Sequence, residues 1–95
     1  MILINIFIFS NNHLTRLPDE IGQLVKLETL IISRNQLISL PSSIASLKNL
    51  RELDASKNQI ASFPIGLANL RQLNSADLSS NKVRTLRQKY SDTIR

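Results

Sequence analysis

The side chains of this 95-residue chain that could do chemistry are few and scattered. His13 is the only histidine and cysteine is absent, so a thiolate metal site, a nucleophilic thiol and a disulfide are all excluded. The serines form no G-x-S-x-G elbow, and two glycines, Gly22 and Gly66, are too few for a phosphate-binding loop. We therefore expect no catalytic residue, no metal site and no cofactor.

One pair of carboxylates has a spacing that could bring its members together. Asp54 and Asp77 are separated by 23 residues, which is also the period of the sequence. On adjacent strands of one sheet they would lie about 4.8 Å apart. Such a pair could hold a metal or act as acid and base, but Arg34 and Lys57 lie close to it in the same pattern. The simpler interpretation is a mixed-charge recognition surface.

The period that relates these carboxylates runs through the whole chain. The segment from Leu27 to Leu37 reads L-x-x-L-x-L-x-x-N-x-L and recurs, slightly altered, every 23 residues. Between its copies a second pattern also recurs, a Leu-Pro or Phe-Pro pair followed by two spaced apolar residues. The chain is thus expected to form one domain, residues 1–95, of four repeats whose last copy is degenerate: 4–26, 27–49, 50–72 and 73–95.

Each repeat changes its apolar spacing halfway. The first half alternates apolar and polar residues, as a strand with one buried face does, and the second half has the spacing of three and four typical of a short helix. The proline of each repeat fixes φ at the entrance to that helix. We expect an α/β fold, a right-handed solenoid with parallel strands near residues 6–8, 29–31, 52–54 and 75–77 and with short helices or 3₁₀ turns on its convex face.

An asparagine recurs at one position of all four repeats: Asn12, Asn35, Asn58 and Asn81. An amide at the bend behind a buried strand can both donate to and accept from the backbone of adjacent turns. We interpret the four as a structural ladder rather than a binding site. We expect Asn35 and Asn58 to contribute most to stability, and Asn12 and Asn81, which are nearer the ends, to contribute less.

The motifs LTRLPDEIGQLVK, LISLPSSIASLKN and IASFPIGLANLRQ, each following an L-x-x-L-x-L-x-x-N strand, resemble the 23-residue intracellular class of leucine-rich repeats. That class includes Ras-pathway scaffold proteins and plant intracellular Ras-group-related repeat proteins. The resemblance covers residues 4–86. It implies a noncatalytic cytoplasmic module, a scaffold of the kind used in signalling, that presents its strands to a protein partner.

The outward strand positions and the turns beside them form the surface that we call the concave face. It changes from apolar to charged along the array, and outward isoleucines are not explained by the core. We expect it to bind a protein partner through Ile6, Ile8, Ile31, Arg34, Glu52, Asp54, Lys57 and Asp77. The isoleucines of the first strand could equally serve only to stabilise it or to contact further repeats.

The formal net charge of +5 comes mainly from the end of the chain. Residues 1–81 contain seven Lys/Arg and six Asp/Glu, whereas residues 82–95 contain five Lys/Arg and one acidic residue, Asp92. This distribution argues against a nucleic-acid-binding surface over the whole domain. It leaves open an adaptor whose basic tail, possessing a helical apolar face as a C-terminal cap would, contacts acidic lipid or RNA.

The N-terminal end of the pattern is uncovered. Residues 1–9 are too short to span a bilayer and lack the basic flank of a signal peptide, so we assign them to the first strand. Phe7, Phe9 and Leu14 then have a repeat on one side only, and terminal repeats normally need a polar cap. Two expectations follow. The chain is a structural fragment of a longer array, or it self-associates through this edge.

Overall fold

A computed structural model describes residues 4–62 and 65–82 of the chain. The four strands are β1 (Ile6–Ile8), β2 (Thr29–Ile31), β3 (Glu52–Asp54) and β4 (Ser75–Asp77). Between them lie three 3₁₀ helices, η1 (Asp19–Gln23), η2 (Ser42–Ser46) and η3 (Ile65–Asn69). Three predictions fall outside the described residues: the C-terminal cap, the basic tail, and the large side chain of Phe63 filling space beside Ala55 and Ala76.

The strands form one parallel sheet in chain order, β1-β2-β3-β4. Phe7 is paired with Leu30, Leu30 with Leu53, and Leu53 with Ala76, so the register advances by one 23-residue repeat at each strand. The repeat period therefore sets the register, because equivalent residues of successive repeats stand side by side. The predicted parallel sheet and its four strand positions are confirmed.

The core lies between this sheet and the row of 3₁₀ helices. The central residue of each inner strand, Leu30, Leu53 and Ala76, is completely buried. The helices contribute Ile21, Ile44 and Leu67 to the same interior. Because each repeat supplies only one layer of side chains, burial depends on the neighbouring repeats. The interior is thus continuous along the stack and is most complete in the second and third repeats.

Proline sets the start of the first two helices. Pro18 and Pro41 immediately precede η1 and η2 with φ of −69° and −66° and extended ψ, the geometry that the pyrrolidine ring imposes. At the other end, the N–H groups of Leu24 and Leu47 donate to the carbonyls of Ile21 and Ile44. Each turn closes after five residues, and no described helix is long and apolar enough to cross a bilayer.

Glycine permits the close approach of neighbouring helices. A methyl group added at Gly22 would stand 2.6 Å from the carbonyl oxygen of Ser43, and one at Gly66 would stand 2.6 Å from Cβ of Ala45. Neither glycine has a positive φ, so the requirement is for space and not for backbone conformation. Each of the two helix contacts therefore has one glycine.

The first repeat is less buried than the two that follow it. Phe7, Leu14 and Leu24 pack against the core but are only partly buried, and 40% of Phe9 is exposed. The rings of Phe7 and Phe9 lie 6.2 Å apart and tilted by 40°. A hollow of about 260 Å³ opens at this end, and its walls include Phe7, Leu17, Ile21 and Leu24. The layer of core side chains here has a neighbouring layer on one side only.

Candidate functional site

The outward strand residues of the concave face form two rows across the sheet. The strand register places Ile6, Thr29, Glu52 and Ser75 in one row and Ile8, Ile31, Asp54 and Asp77 in the other. Equivalent positions on adjacent parallel strands are about 4.8 Å apart. The structure thus brings six of the eight predicted residues onto one sheet surface, apolar over β1 and β2 and acidic over β3 and β4.

The apolar half of this surface is open to solvent. The exposed fractions of Ile6 and Ile8 are 55% and 63%, whereas Ile31, which has a strand on each side, is half-buried. Ile8 and Ile31 are register partners, so their side chains are neighbours on the face that points away from the core. Exposed contiguous apolar surface of this kind is typical of interfaces.

The acidic half is built around two turns of the same design. One oxygen of Asp54 accepts from the N–H of Ser56 at 3.1 Å and from its hydroxyl at 2.7 Å. Asp77 accepts in the same way from Ser79, at 2.9 and 2.6 Å. Each aspartate therefore holds the turn that leaves its strand. Among the described residues, no group of three or more potential metal ligands surrounds them.

Arg34 and Lys57 are in the turns that follow β2 and β3, and both side chains are exposed. Their backbones are in the left-handed region, with φ of 58° and 56°, and Asn11 and Ser80 have the same conformation in the other two repeats. The N–H of Arg34 donates to the carbonyl of Ser56, and that of Lys57 to the carbonyl of Ser79. The two basic residues are thus held at the end of the concave face by bonds to the next repeat.

Serine occupies the position before these left-handed residues in every repeat, a regularity not considered above: Ser10, Ser33, Ser56 and Ser79. In the first two repeats the hydroxyl oxygens of Ser10 and Ser33 are 3.1 Å apart and share a hydrogen bond. In the last two they donate to the aspartates already described. The 23-residue recurrence of serine was the signal that could have identified this column, which borders the concave face.

The asparagines form hydrogen bonds between repeats. Oδ1 of Asn58 accepts from the N–H of Leu37 at 3.0 Å, and its Nδ2 donates to the carbonyl of Ile32 at 3.0 Å. Both partners belong to the preceding repeat. Asn58 also donates to the carbonyls of Ala55 and Ser56 in its own turn. Asn35 makes the equivalent set of contacts.

These bonds all run toward the preceding repeat, which separates the two end asparagines. Asn81 accepts from Ile60 at 2.9 Å and donates to the carbonyl of Ala55 at 2.9 Å. Asn12 is exposed, and its described bond is to the carbonyl of Ser10 within its own turn. The expectation that both matter less is therefore wrong in geometric terms for Asn81. Position along the ladder counts only at the N-terminal side.

His13 lies on the exposed edge of the bend, as its sequence position predicts. Its Nδ1 is 3.2 Å from Nε2 of Gln36, the residue in the equivalent position of the next repeat. The contact is exposed and involves neither the aspartates nor the serine column. Within the described residues, the geometry of His13 is that of a solvated surface side chain.

Comparisons with known proteins agree with this geometry. Residues 6–92 match the family described as a leucine-rich repeat region. Among curated proteins, no sequence matches this chain. A solved leucine-rich repeat protein of Leptospira interrogans is 33% identical over 97% of the chain, with a TM-score of 0.88.

An internalin of Listeria monocytogenes, 24% identical over 82% of the chain with a TM-score of 0.69, shares the fold. The chain spans 25% of the length of the Leptospira structure and 23% of that of the internalin. The family match covers most of the sequence, and the parallel sheet, the buried leucines and the asparagines all recur with its period. The chain belongs to the leucine-rich repeat family.

Proposed function

We propose that this chain is a noncatalytic module that binds a protein partner on its concave face. The contact residues would be those predicted from the sequence: Ile6, Ile8, Ile31, Arg34, Glu52, Asp54, Lys57 and Asp77. Leucine-rich repeat domains commonly bind proteins, and the identity of the family supports the general class of function. The choice of surface is supported by the chain's own residues.

The observation that carries the proposal is the exposure of Ile8 beside Ile31. Ile8 keeps 63% of its surface exposed, and it stands on the face opposite the core. Its neighbour in the register is apolar as well, so the two form one patch with Ile6. A patch of this kind gains free energy when a partner removes it from water, at about 25 cal/mol per Å² of apolar area. Apolar centres of this type, with polar borders, are typical of protein interfaces.

The charged half of the face would orient the partner. Glu52, Asp54 and Asp77 lie beyond Ile31 along the sheet, and Arg34 and Lys57 flank them at the ends of the strands. Charges arranged in this way contribute more to specificity and to the rate of association than to affinity. A partner with an apolar segment at one end and charged groups of both signs at the other would fit this order.

The proposal includes a cytoplasmic scaffold role of the type implied by the 23-residue intracellular class. The cysteine-free sequence is compatible with a reducing compartment. Two other functions stay predictions. One is a purely structural segment of a longer repeat protein, and the other is an adaptor that uses the basic residues near the C-terminus. Binding that weakens steeply with salt would favour the adaptor.

The experiment compares two substitutions of exposed isoleucines. Ile8 on the concave face and Ile65 in η3 on the helical side have almost equal exposed fractions, 63% and 62%. The intact chain, Ile8→Lys and Ile65→Lys are immobilised, and proteins captured from an extract of the source cells are identified by mass spectrometry. The proposal requires a protein that the intact chain and Ile65→Lys capture and that Ile8→Lys loses. Equal capture by all three would overturn the choice of face.

A further inference from the structure

The first strand has a free edge that the function proposed above does not use. Within the described residues β1 is paired with β2 and with no other strand. On the β2 side, the carbonyl of Asn5 accepts from the N–H of Thr29 at 3.0 Å, and the N–H of Phe9 donates to Ile31 at 2.8 Å. Because backbone groups alternate between the two sides of a strand, those of Ile6 and Ile8 point away from β2.

This edge has none of the features that normally prevent a strand from pairing with another chain. Soluble proteins protect exposed edges with charged side chains, proline or bulges. Here the first charged side chain of the sequence is Arg16 and the first proline is Pro18, both well beyond the strand. The side chains of β1 itself are Ile6, Phe7 and Ile8.

We propose that β1 is an interface for a second copy of this chain, with the two strands antiparallel about a two-fold axis at Phe7. The sequence Ile-Phe-Ile is the same in both directions, so this register places Ile6 opposite Ile8 of the second copy and Phe7 opposite its own equivalent. Isologous pairing of this type is the commonest form of protein assembly. It joins the two four-stranded sheets into one sheet of eight strands.

The hydrogen-bonding pattern fits this register without adjustment. In an antiparallel pair, residues alternate between those that exchange two hydrogen bonds and those that exchange none. Ile6 and Ile8 point their N–H and C=O groups to the free edge, and they fall in the hydrogen-bonded positions. Phe7, whose backbone faces β2, falls on the axis in a position that exchanges none. The symmetric pair therefore makes four new backbone hydrogen bonds.

Both faces of the joined sheet are chemically matched. On the core side Phe7 is half-buried and borders the hollow of about 260 Å³, so the ring of the second copy would cover apolar surface that is now open. On the other side the exposed Ile6 and Ile8 of the two copies become one patch. Side chains stand perpendicular to a sheet, so edge pairing leaves this patch free. The dimer and the binding of a partner on the concave face therefore do not compete.

The first experiment separates the backbone contribution from that of the side chain. Sedimentation of the intact chain is measured from low micromolar to near-millimolar concentration, together with Ile6→Pro and its matched control, Ile6→Ala. Proline is tolerated on an edge strand when its position points to solvent, and it removes one N–H from each copy. We expect a monomer–dimer equilibrium whose dissociation constant rises about tenfold or more in Ile6→Pro, relative to Ile6→Ala.

The second experiment tests the register and does not depend on a proline variant. The chain has no cysteine, so Ile6→Cys and Ile8→Cys each introduce a single thiol. In the proposed register residue 6 is about 5.5 Å from residue 8 of the second copy, Cα to Cα, but roughly 9 Å from residue 6. Disulfides need Cα atoms about 4.4–6.8 Å apart. Mild oxidation of the mixture should therefore give the mixed disulfide much faster than either variant alone forms its own.

Three results would overturn the proposal. The first is a strictly monomeric intact chain across the whole concentration range. The second is association that continues beyond the dimer, which a closed two-fold interface does not allow. The third is equal rates of cross-linking in the mixture and in the single variants, because that outcome means that the strands meet in no fixed register. Circular dichroism of every variant checks that the repeats are folded before its association is compared.

Discussion

Asn58 and Asn81 donate hydrogen bonds to the same acceptor, the carbonyl oxygen of Ala55, at 3.0 and 2.9 Å. The carbonyl of Ile32 is shared in the same way by Asn35 and Asn58, at 3.1 and 3.0 Å. Each shared carbonyl thus joins the asparagine of its own repeat to that of the next. The asparagines are connected along the stack through the backbone, and the loss of one affects two repeats.

Replacing Asn58 with Ala should lower the free energy of unfolding by about 1–3 kcal/mol, because the N–H of Leu37 and the carbonyl of Ile32 lose partners in a buried setting. Asn12→Ala is the matched control, since Asn12 is exposed and bonds only within its own turn among the described contacts. Its effect should stay within about 0.5 kcal/mol. Urea titration measures both. Equal losses at the two positions would contradict a ladder that runs between repeats.

Replacing Gly66 with Ala should destabilise the chain by about 1–3 kcal/mol, because the new methyl group would overlap Cβ of Ala45. The reciprocal double variant, Ala45→Gly with Gly66→Ala, again has one methyl group in the contact. It should recover most of the stability, less the entropic penalty of a new glycine of about 0.5–1 kcal/mol. Thermal unfolding of the two variants provides the comparison. A double variant no more stable than Gly66→Ala would mean that the helix contact is not the cause.

Asp54 can be tested by separating its charge from its hydrogen bonds. Asp54→Asn keeps an oxygen able to accept from the N–H and hydroxyl of Ser56, so its stability should remain within about 0.5 kcal/mol of the parent. Asp54→Ala removes the acceptor and should lose about 0.5–1.5 kcal/mol. Denaturant titration ranks the three proteins. If Asn and Ala prove equally destabilising, the carboxylate charge and not the turn is what matters.

The two faces of β1 predict opposite responses to the same substitution. Phe7→Lys should lower stability by about 2 kcal/mol or more, since Phe7 packs against the core and a lysine there must bury or displace its charge. Ile8→Lys, on the exposed face, should change it by less than about 0.5 kcal/mol. Guanidinium unfolding curves decide the matter. The reverse order would place the strand one residue out of register, because a one-residue shift exchanges the faces.

The strand positions could be predicted from the sequence because the period and the alternation fix them together. Leu30, Leu53 and Ala76 share a position in the repeat, and stacking repeats with this period gives a parallel register with no further information. The rows of the concave face follow from the same register. The interior position of Asn35 and Asn58 could also be predicted, because an amide repeated at a bend needs backbone partners.

Other features left weaker signals. The left-handed φ of Arg34 and Lys57 has no glycine to announce it, and side chains of four different types adopt it because the turn is held by bonds to the next repeat. Apolar spacing of three and four fits an α-helix as well as the 3₁₀ helices that form, since both bury one face. The direction of the asparagine bonds, which distinguishes Asn81 from Asn12, depends on the side from which the preceding repeat is approached.

The proposal that the concave face binds a protein is tested most directly by the affinity of one captured partner for two variants. Titration calorimetry gives its dissociation constant for the intact chain, Ile8→Lys and Ile65→Lys, each checked for folding. We predict that Ile8→Lys raises this constant by about tenfold or more, because a lysine replaces apolar contact at the centre of the patch, and that Ile65→Lys leaves it unchanged. A constant that rises with Ile65→Lys and is unaffected by Ile8→Lys would contradict the account and place the interface on the helical side.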